Sequence, residues 1–200
     1  MEEIKLNEFG YSEMYEWNDV PESDMRLGRF VSFNPVNTSK IELYNSTSNK
    51  PLVGITTINA ITVSDNPNEW PGKYLMTDVG DLYLTNEVLS VGDRVYDENL
   101  EMSFIRTQKW EHLIKIQNPN YIAENEYIKR TNRTEWIRVS LLGKTLVKDN
   151  GECVPGEYCM PYNGKILKNM GIAVPATEDA KYKFYVISRI SENAILILNK

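Results

Sequence analysis

Two carboxylates stand three residues apart among aromatic side chains in Gly10-Tyr11-Ser12-Glu13-Met14-Tyr15-Glu16-Trp17, and a third, Glu8, lies just before them. Carboxylates can cut an amide by general acid–base catalysis. An ionised group takes a proton from water or a hydroxyl, and a protonated one delivers a proton to the leaving group. Glu13 and Glu16 point to opposite faces if the segment is extended. They share a face only in a helical turn. In a strand, a dyad therefore needs Glu13 matched with a carboxylate from elsewhere in the chain or from another subunit. Glu16 is the further candidate. The competing reading is an amphipathic opening strand with solvated glutamates.

Other chemistries find little support. The single histidine, His112, lies in Trp110-Glu111-His112-Leu113-Ile114 with no nucleophile signature nearby, so Ser-His-Asp or Cys-His catalysis is not expected. One imidazole rules out a histidine-rich metal site. Cys153 and Cys159 are six apart and lack a second pair, which fits structural thiols rather than a zinc knuckle. Gly143-Lys144-Thr145 resembles the end of a phosphate loop, but Arg138 stands where the loop needs glycine. No metal and no cofactor are expected from these residues.

The chain has 200 residues, 25% of them charged, and a net charge of −6. That balance argues against a nucleic-acid partner, which would call for a basic face. There is no run of 18 apolar residues and no basic, apolar opening, so neither a membrane span nor a signal peptide is expected.

The segments that must position Glu13 read as short strands. Arg29–Phe33 and Ile41–Tyr44 are β-rich, and Pro51–Val63 is dense in Ile, Val and Thr. Lys73–Met76, Leu82–Leu84 and Val95–Tyr96 are short β segments between Asp- and Gly-bearing turns. Met102–Ile116 fits either one helix or two strands around Thr107–Lys109. Asn118–Thr134 is a long polar loop, of a length that usually serves a function or wraps a neighbour. Trp136–Leu142 alternates, and Thr145–Lys148 follows after Gly143. Asp149-Asn150-Gly151 is a hairpin signal. Lys183–Ile190 and Ala194–Leu198 form a terminal pair. The expectation is an all-β domain of mainly antiparallel short strands, sandwich- or barrel-like, with little helix. Residues 1–9 read as a leader and 10–200 as one domain, with Asn118–Thr134 as its weakest join. Trp17, Trp70 and Trp136 are expected to pack rather than react. Arg130, Arg133 and Glu135 are expected either in an ion pair across a subunit seam or in a solvated loop.

Several blocks together resemble a known family. These are Tyr11-Ser12-Glu13-Met14-Tyr15-Glu16-Trp17, Arg26-Leu27-Gly28-Arg29-Phe30-Val31, Gly54-Ile55 and Glu69-Trp70-Pro71-Gly72-Lys73-Tyr74. Asn118-Pro119-Asn120-Tyr121 then leads through Tyr127, Arg130 and Arg133 to Glu135-Trp136 and Leu141-Leu142-Gly143. Cys153, Gly156, Tyr158-Cys159, Pro161 and Gly171-Ile172-Ala173 continue the run. In order and spacing, from about Gly10 to Leu198, they resemble the peptidase G2 family, the autoproteolytic chaperone domain at the C-terminus of phage pre-neck appendage and tail-spike proteins. The resemblance implies a homotrimer that holds spike or fibre chains in register while they wind into a β-helix, then releases itself by a single self-cleavage, in cis or across the trimer. Its partners would be the upstream β-helix or other virion proteins, in the host cytoplasm during assembly or in the virion. ATP enters only through this resemblance.

The family's catalytic pair is an Asp and a Glu, with Asp three residues before the Glu that maps to Glu13. Here Gly10 holds that place, and Glu8 is the nearest carboxylate. By spacing, a family-like cut falls near Leu6–Asn7. The alternative expectation is a virion structural protein that keeps the trimeric scaffold and no longer cuts.

Overall fold

In the computed structural model, the residues described are 10–45, 50–97, 101–162 and 166–199. Glu8 and the Leu6–Asn7 bond lie outside them. The chain divides into two compact units, Met1–Asn66 with Ile128–Lys200, and Pro67–Tyr127. The second boundary falls inside Asn118–Thr134, the weakest join read in the sequence. The fold is all-β: among the described residues the helical segments are one-turn 3-10 helices.

The first unit is organised around β1 (Gly10–Trp17) and the 13-residue β10 (Trp136–Lys148). β10 runs antiparallel to β1, with Glu13 opposite Val139 and Tyr15 opposite Ile137. The other edge of β1 takes two partners in parallel. Tyr11–Glu13 pair with β5 (Thr62–Ser64), and Glu16–Trp17 pair with the start of β3 (Lys40–Leu43). β3 pairs with β2 (Phe30–Phe33), β2 with β4 (Leu52–Thr57), and β4 returns to β10 at Arg138–Ser140. The circuit β10–β4–β2–β3–β1–β10 therefore closes on itself, which removes free edges from those five strands. Gly54 permits the closure, because a Cβ there would lie 2.3 Å from the Ser140 carbonyl oxygen.

Period-two alternation fills the ring. Trp17, Val31, Ile41, Leu43 and Val139 are buried in one cluster, with Tyr15, Phe33 and Ile137 packed against it. A second cluster of Phe30, Ile55, Val147, Phe184, Val186, Ile195 and Ile197 packs where the sheet continues from β10. That continuation is β14 (Ala194–Asn199), β13 (Phe184–Ser191), β11 (Tyr158–Pro161) and β12 (Ala173–Pro175). Two readings of the sequence are corrected here. Trp136–Leu142 and Thr145–Lys148 are one strand, which Gly143 interrupts only by its φ of 107°. Asp149-Asn150-Gly151 turns the chain but closes no hairpin. β10 pairs with β14, while β11 pairs with β12 and β13.

Cys153 and Cys159 are buried free thiols in the second cluster. The hydrogen bond to Cys153, then burial, pushes the Cys159 thiol up, as fits an inert structural residue.

The Pro67–Tyr127 unit is a ribbon. β6 (Leu84–Leu89) pairs antiparallel with β9 (Trp110–Lys115), and β7 (Arg94–Asp97) with β8 (Met102–Ile105). Backbone bonds from Gly92 to Arg106 (2.9 Å) and from Arg106 to Asp93 (2.9 Å) carry the pairing across the interruption. Met102–Ile116 thus forms two strands, the second of the two alternatives. His112 lies 3.1 Å from Glu87 and stacks on Trp110 at 4.1 Å.

Candidate active site

Strand β1 sorts its carboxylates by parity. Tyr11, Glu13, Tyr15 and Trp17 share one face. Along that row, burial falls from Trp17 inside the ring, through half-buried Tyr15 and Glu13, to exposed Tyr11. Glu13 therefore sits where the apolar interior meets solvent. Glu16 is on the other face, bound to Lys40 at 2.7 Å. The extended segment keeps Glu13 and Glu16 apart, as the strand alternative requires.

The Glu13 carboxylate is held at both oxygens. Tyr11 donates its phenol proton to Oε1 at 2.5 Å, and Tyr15 donates to Oε2 at 3.0 Å. The Tyr11 oxygen also lies 2.7 Å from Ser64 Oγ. Since the one phenol proton of Tyr11 goes to Glu13, Ser64 is the donor to Tyr11. These bonds, Tyr11's first, hold the Glu13 carboxyl below its ordinary value against a smaller opposing effect of burial. Tyr15 is pushed up to about 12, by burial first and then by its bond to Glu13. At neutral pH the site thus presents an ionised carboxylate that accepts from two phenols, the form required of a general base.

Three further residues stand near this site. Ser64 is opposite Glu13 in the parallel β1–β5 pairing. Asp65 follows it with a left-handed φ of 51°. Arg130 forms an ion pair with the Asp65 carboxylate and donates to the Asp65 carbonyl at 2.8 Å. Its guanidinium lies 3.9 Å over the Trp136 ring. Arg133 pairs instead with Glu135 at 2.6 Å. Of the three tryptophans expected to pack, Trp17 is fully buried, Trp136 carries Arg130, and Trp70 stands edge-on to Tyr127 at 5.2 Å. The only sequence signal for Ser64 and Asp65 is their position at the strand end, whereas Arg130 stands in the Tyr127–Trp136 block of the family resemblance and was expected in an ion pair or a solvated loop.

At Gly10, a Cβ would lie 2.7 Å from the Leu142 carbonyl oxygen. The strand pairing shifts register between Tyr11 and Ser12, a bulge of the kind found beside active sites. The backbone that places Tyr11 and Glu13 leaves no room for an aspartate side chain at residue 10.

A triphosphate finds no matching cradle among the described residues. Gly143-Lys144-Thr145 runs inside β10, and no helix there is long enough to present an N-terminal phosphate site. Lys73, beside Trp70 and Tyr121 in a cleft of about 310 Å³, is already bound to Glu69 at 2.7 Å. No described helix is long and apolar enough to cross a membrane.

A family model described as Peptidase_G2, IMC autoproteolytic cleavage domain, matches residues 6–198. Among solved structures, the pre-mature gene product 12 of bacteriophage phi29 matches with a TM-score of 0.64 at 19% identity, over 96% of this chain and 22% of that one. The C-terminal fragment of bacteriophage phi29 gene product 12 matches with a TM-score of 0.60 at 20% identity, over 95% of this chain and 99% of the fragment. At these identities the two structures show a common fold. A comparison with curated protein sequences gives no match.

Proposed function

This chain belongs to the Peptidase_G2 family, the IMC autoproteolytic cleavage domains, and from that premise we propose that it is a chaperone-type domain of a phage tail-spike or fibre protein. It trimerises its chains, guides their β-helical folding and releases itself by one self-cleavage. The observation that carries the cleavage reading is Glu13, an ionised carboxylate held by Tyr11 and Tyr15 at the rim of the ring. Glu13 takes a proton from water, and the water oxygen attacks the carbonyl carbon of the scissile amide. The proton on Glu13 then passes to the nitrogen as the C–N bond breaks. One carboxylate balances this cycle. Glu8 is kept as a candidate second group, and Glu16, tied to Lys40 on the opposite face, as the remaining one.

Trimerisation draws on the ribbon. A two-stranded ribbon is marginal in water by itself, and β8 is exposed at every position. Tyr96, Met102, Phe104, Ile105, Trp110 and Leu113 all stand open to solvent. Covering them with two further copies stabilises the ribbon and aligns three chains before slow non-local β pairing begins. Cleavage afterwards leaves the spike kinetically trapped. Assembly takes place in the host cytoplasm, with the upstream β-helix as partner.

A second reading, a virion structural protein that no longer cuts, is favoured by the blocked position at Gly10. Intact mass of the full-length natural product, beside Glu13→Gln, separates the two. A fragment starting near Asn7 in the wild type and absent from the variant supports self-cleavage by Glu13. One uncut mass in both, with a trimer on native mass spectrometry, leaves the structural protein.

A further inference from the structure

Glu13 is held by a chain of contacts that does not end at the tyrosines. Tyr11 donates to Glu13 and accepts from Ser64. Ser64 ends β5, and the backbone reverses immediately after it through the left-handed Asp65. A non-glycine residue keeps that uncommon conformation only where its surroundings hold it. Arg130 supplies the hold, gripping both the carboxylate and the carbonyl of Asp65. The Arg130 side chain is itself mostly buried, with its guanidinium carbon 3.9 Å from the ring centre of Trp136, the first residue of β10. Arg130 opens a one-turn 3-10 helix, Arg130–Asn132, near the end of the long polar loop. The loop therefore delivers one guanidinium to the turn that ends β5.

We propose that Ser64, Asp65 and Arg130 are positioning residues for Glu13: the Arg130–Asp65 clasp fixes the end of β5 so that Ser64 orients Tyr11, and Tyr11 orients the carboxylate. This rests on the cleavage reading for its purpose but not for its geometry. Hydrogen bonds in series polarise one another, so the Ser64 bond strengthens the donation from Tyr11 to Glu13. Ser64 also helps to keep the carboxyl below its ordinary value. The groups facing Glu13 are Tyr11 and Tyr15 from β1 and Ser64 from β5, with Asp65 and Arg130 behind Ser64. β10 presents uncharged Val139 and Ile137 opposite.

The test uses the full chain with labelled glutamate and carboxyl-carbon NMR, the Glu13 resonance being identified by its loss in Glu13→Gln. The variants are Ser64→Ala, Ser64→Thr and Asp65→Asn. Asparagine tolerates the left-handed conformation, so Asp65→Asn removes the charge of the clasp without breaking the turn. The expected result is a Glu13 titration midpoint that moves up in Ser64→Ala and Asp65→Asn and returns in Ser64→Thr, which keeps the hydroxyl. Self-cleavage in the first two slows by about 10²-fold, the scale of a small misplacement of a reacting group. An unchanged midpoint in both, with only a lower melting temperature, overturns the proposal and leaves the clasp as structural. If the wild type does not cut, the cleavage reading fails separately, and the midpoints still decide the positioning.

Discussion

The first unit and the ribbon are both built of β-strands, yet they bury their side chains to opposite degrees. In the first, Phe30, Val31, Ile41, Ile55, Val139, Val186, Ile195 and Ile197 are fully inaccessible. In the ribbon, Phe104, Ile105, Trp110 and Leu113 face solvent. A closed circuit of five strands with two packed clusters can stabilise itself, whereas a two-stranded ribbon is marginal by itself. The division of labour follows. Under the proposed function, the first unit holds the site and the ribbon is the face that further copies of the chain cover.

Phe30→Ala and Phe104→Ala give the strongest test of that difference. Phe30 is fully buried against Phe184 at 5.0 Å, so truncation is expected to cost about 3–5 kcal/mol. Phe104→Ala is expected to change chemical unfolding of the dissociated chain by only about 0.5 kcal/mol and to shift the assembled form toward monomer in analytical ultracentrifugation. Equal losses of chain stability from both would erase the distinction.

Within the first unit, two Asp–Arg pairs repeat the contrast on a smaller scale. Asp149 has a fully buried side chain and takes two bonds from Arg189, at 3.3 and 2.8 Å, at the end of β10. Arg189 also donates to the carbonyls of Cys153, Ser191 and Glu192. Losing one partner of such a pair costs about 3 kcal/mol or more. Asp65 is more than half exposed, so Asp65→Asn should cost about 1 kcal/mol or less. Denaturation of Asp149→Asn and Asp65→Asn side by side checks the ranking. A large loss for Asp65→Asn would mean that the rim of the ring belongs to its framework.

Much of the framework was legible because alternation is local. Arg29–Phe33, Ile41–Tyr44 and the terminal pair read correctly to within a residue or two, and Gly10–Trp17 takes the extended one of its two alternatives. Closure of the ring was not legible, since it depends on which strands meet. The Asp149-Asn150-Gly151 signal reports a change of direction and not the partner of the next strand. Glu13 was legible as a carboxylate among aromatics, and its separation from Glu16 follows from strand parity. Ser64 was not, and Arg130 was legible as a candidate ion-pair residue but its partner Asp65 was not, because these contacts span 53 and 65 residues of sequence. The expectations of a trimer and of a cut came only through the family resemblance.

Gly10→Ala tests the rim more finely. The added Cβ meets backbone rather than a movable side chain, so β1 must shift from β10, at a cost of about 1–3 kcal/mol. Gly10→Asp should be at least as costly and should not raise self-cleavage, despite supplying the carboxylate the family resemblance places there. Faster cutting by Gly10→Asp would show that the strand yields and that the second carboxylate belongs at this position.

The smallest expected effect lies on the two faces of β1. Tyr15 titrates at about 12 instead of its ordinary 10.0 because of burial and then Glu13. The folded state therefore binds the phenol proton more tightly than the unfolded chain. That contribution is present below pH 10 and is lost as pH rises toward 12. Glu13 runs the other way: its lowered value contributes stability above its ordinary 4.5, lost as pH falls through the folded value. Glu13→Gln removes the carboxylate but not the burial, so the Tyr15 midpoint, followed by phenolate absorbance, should fall only part of the way toward 10. Glu16→Gln, on the opposite face, should leave it in place. A shift in Glu16→Gln as large as that in Glu13→Gln would mean that the strand does not separate its two carboxylates, and the assignment of Glu13 to the site would go with it.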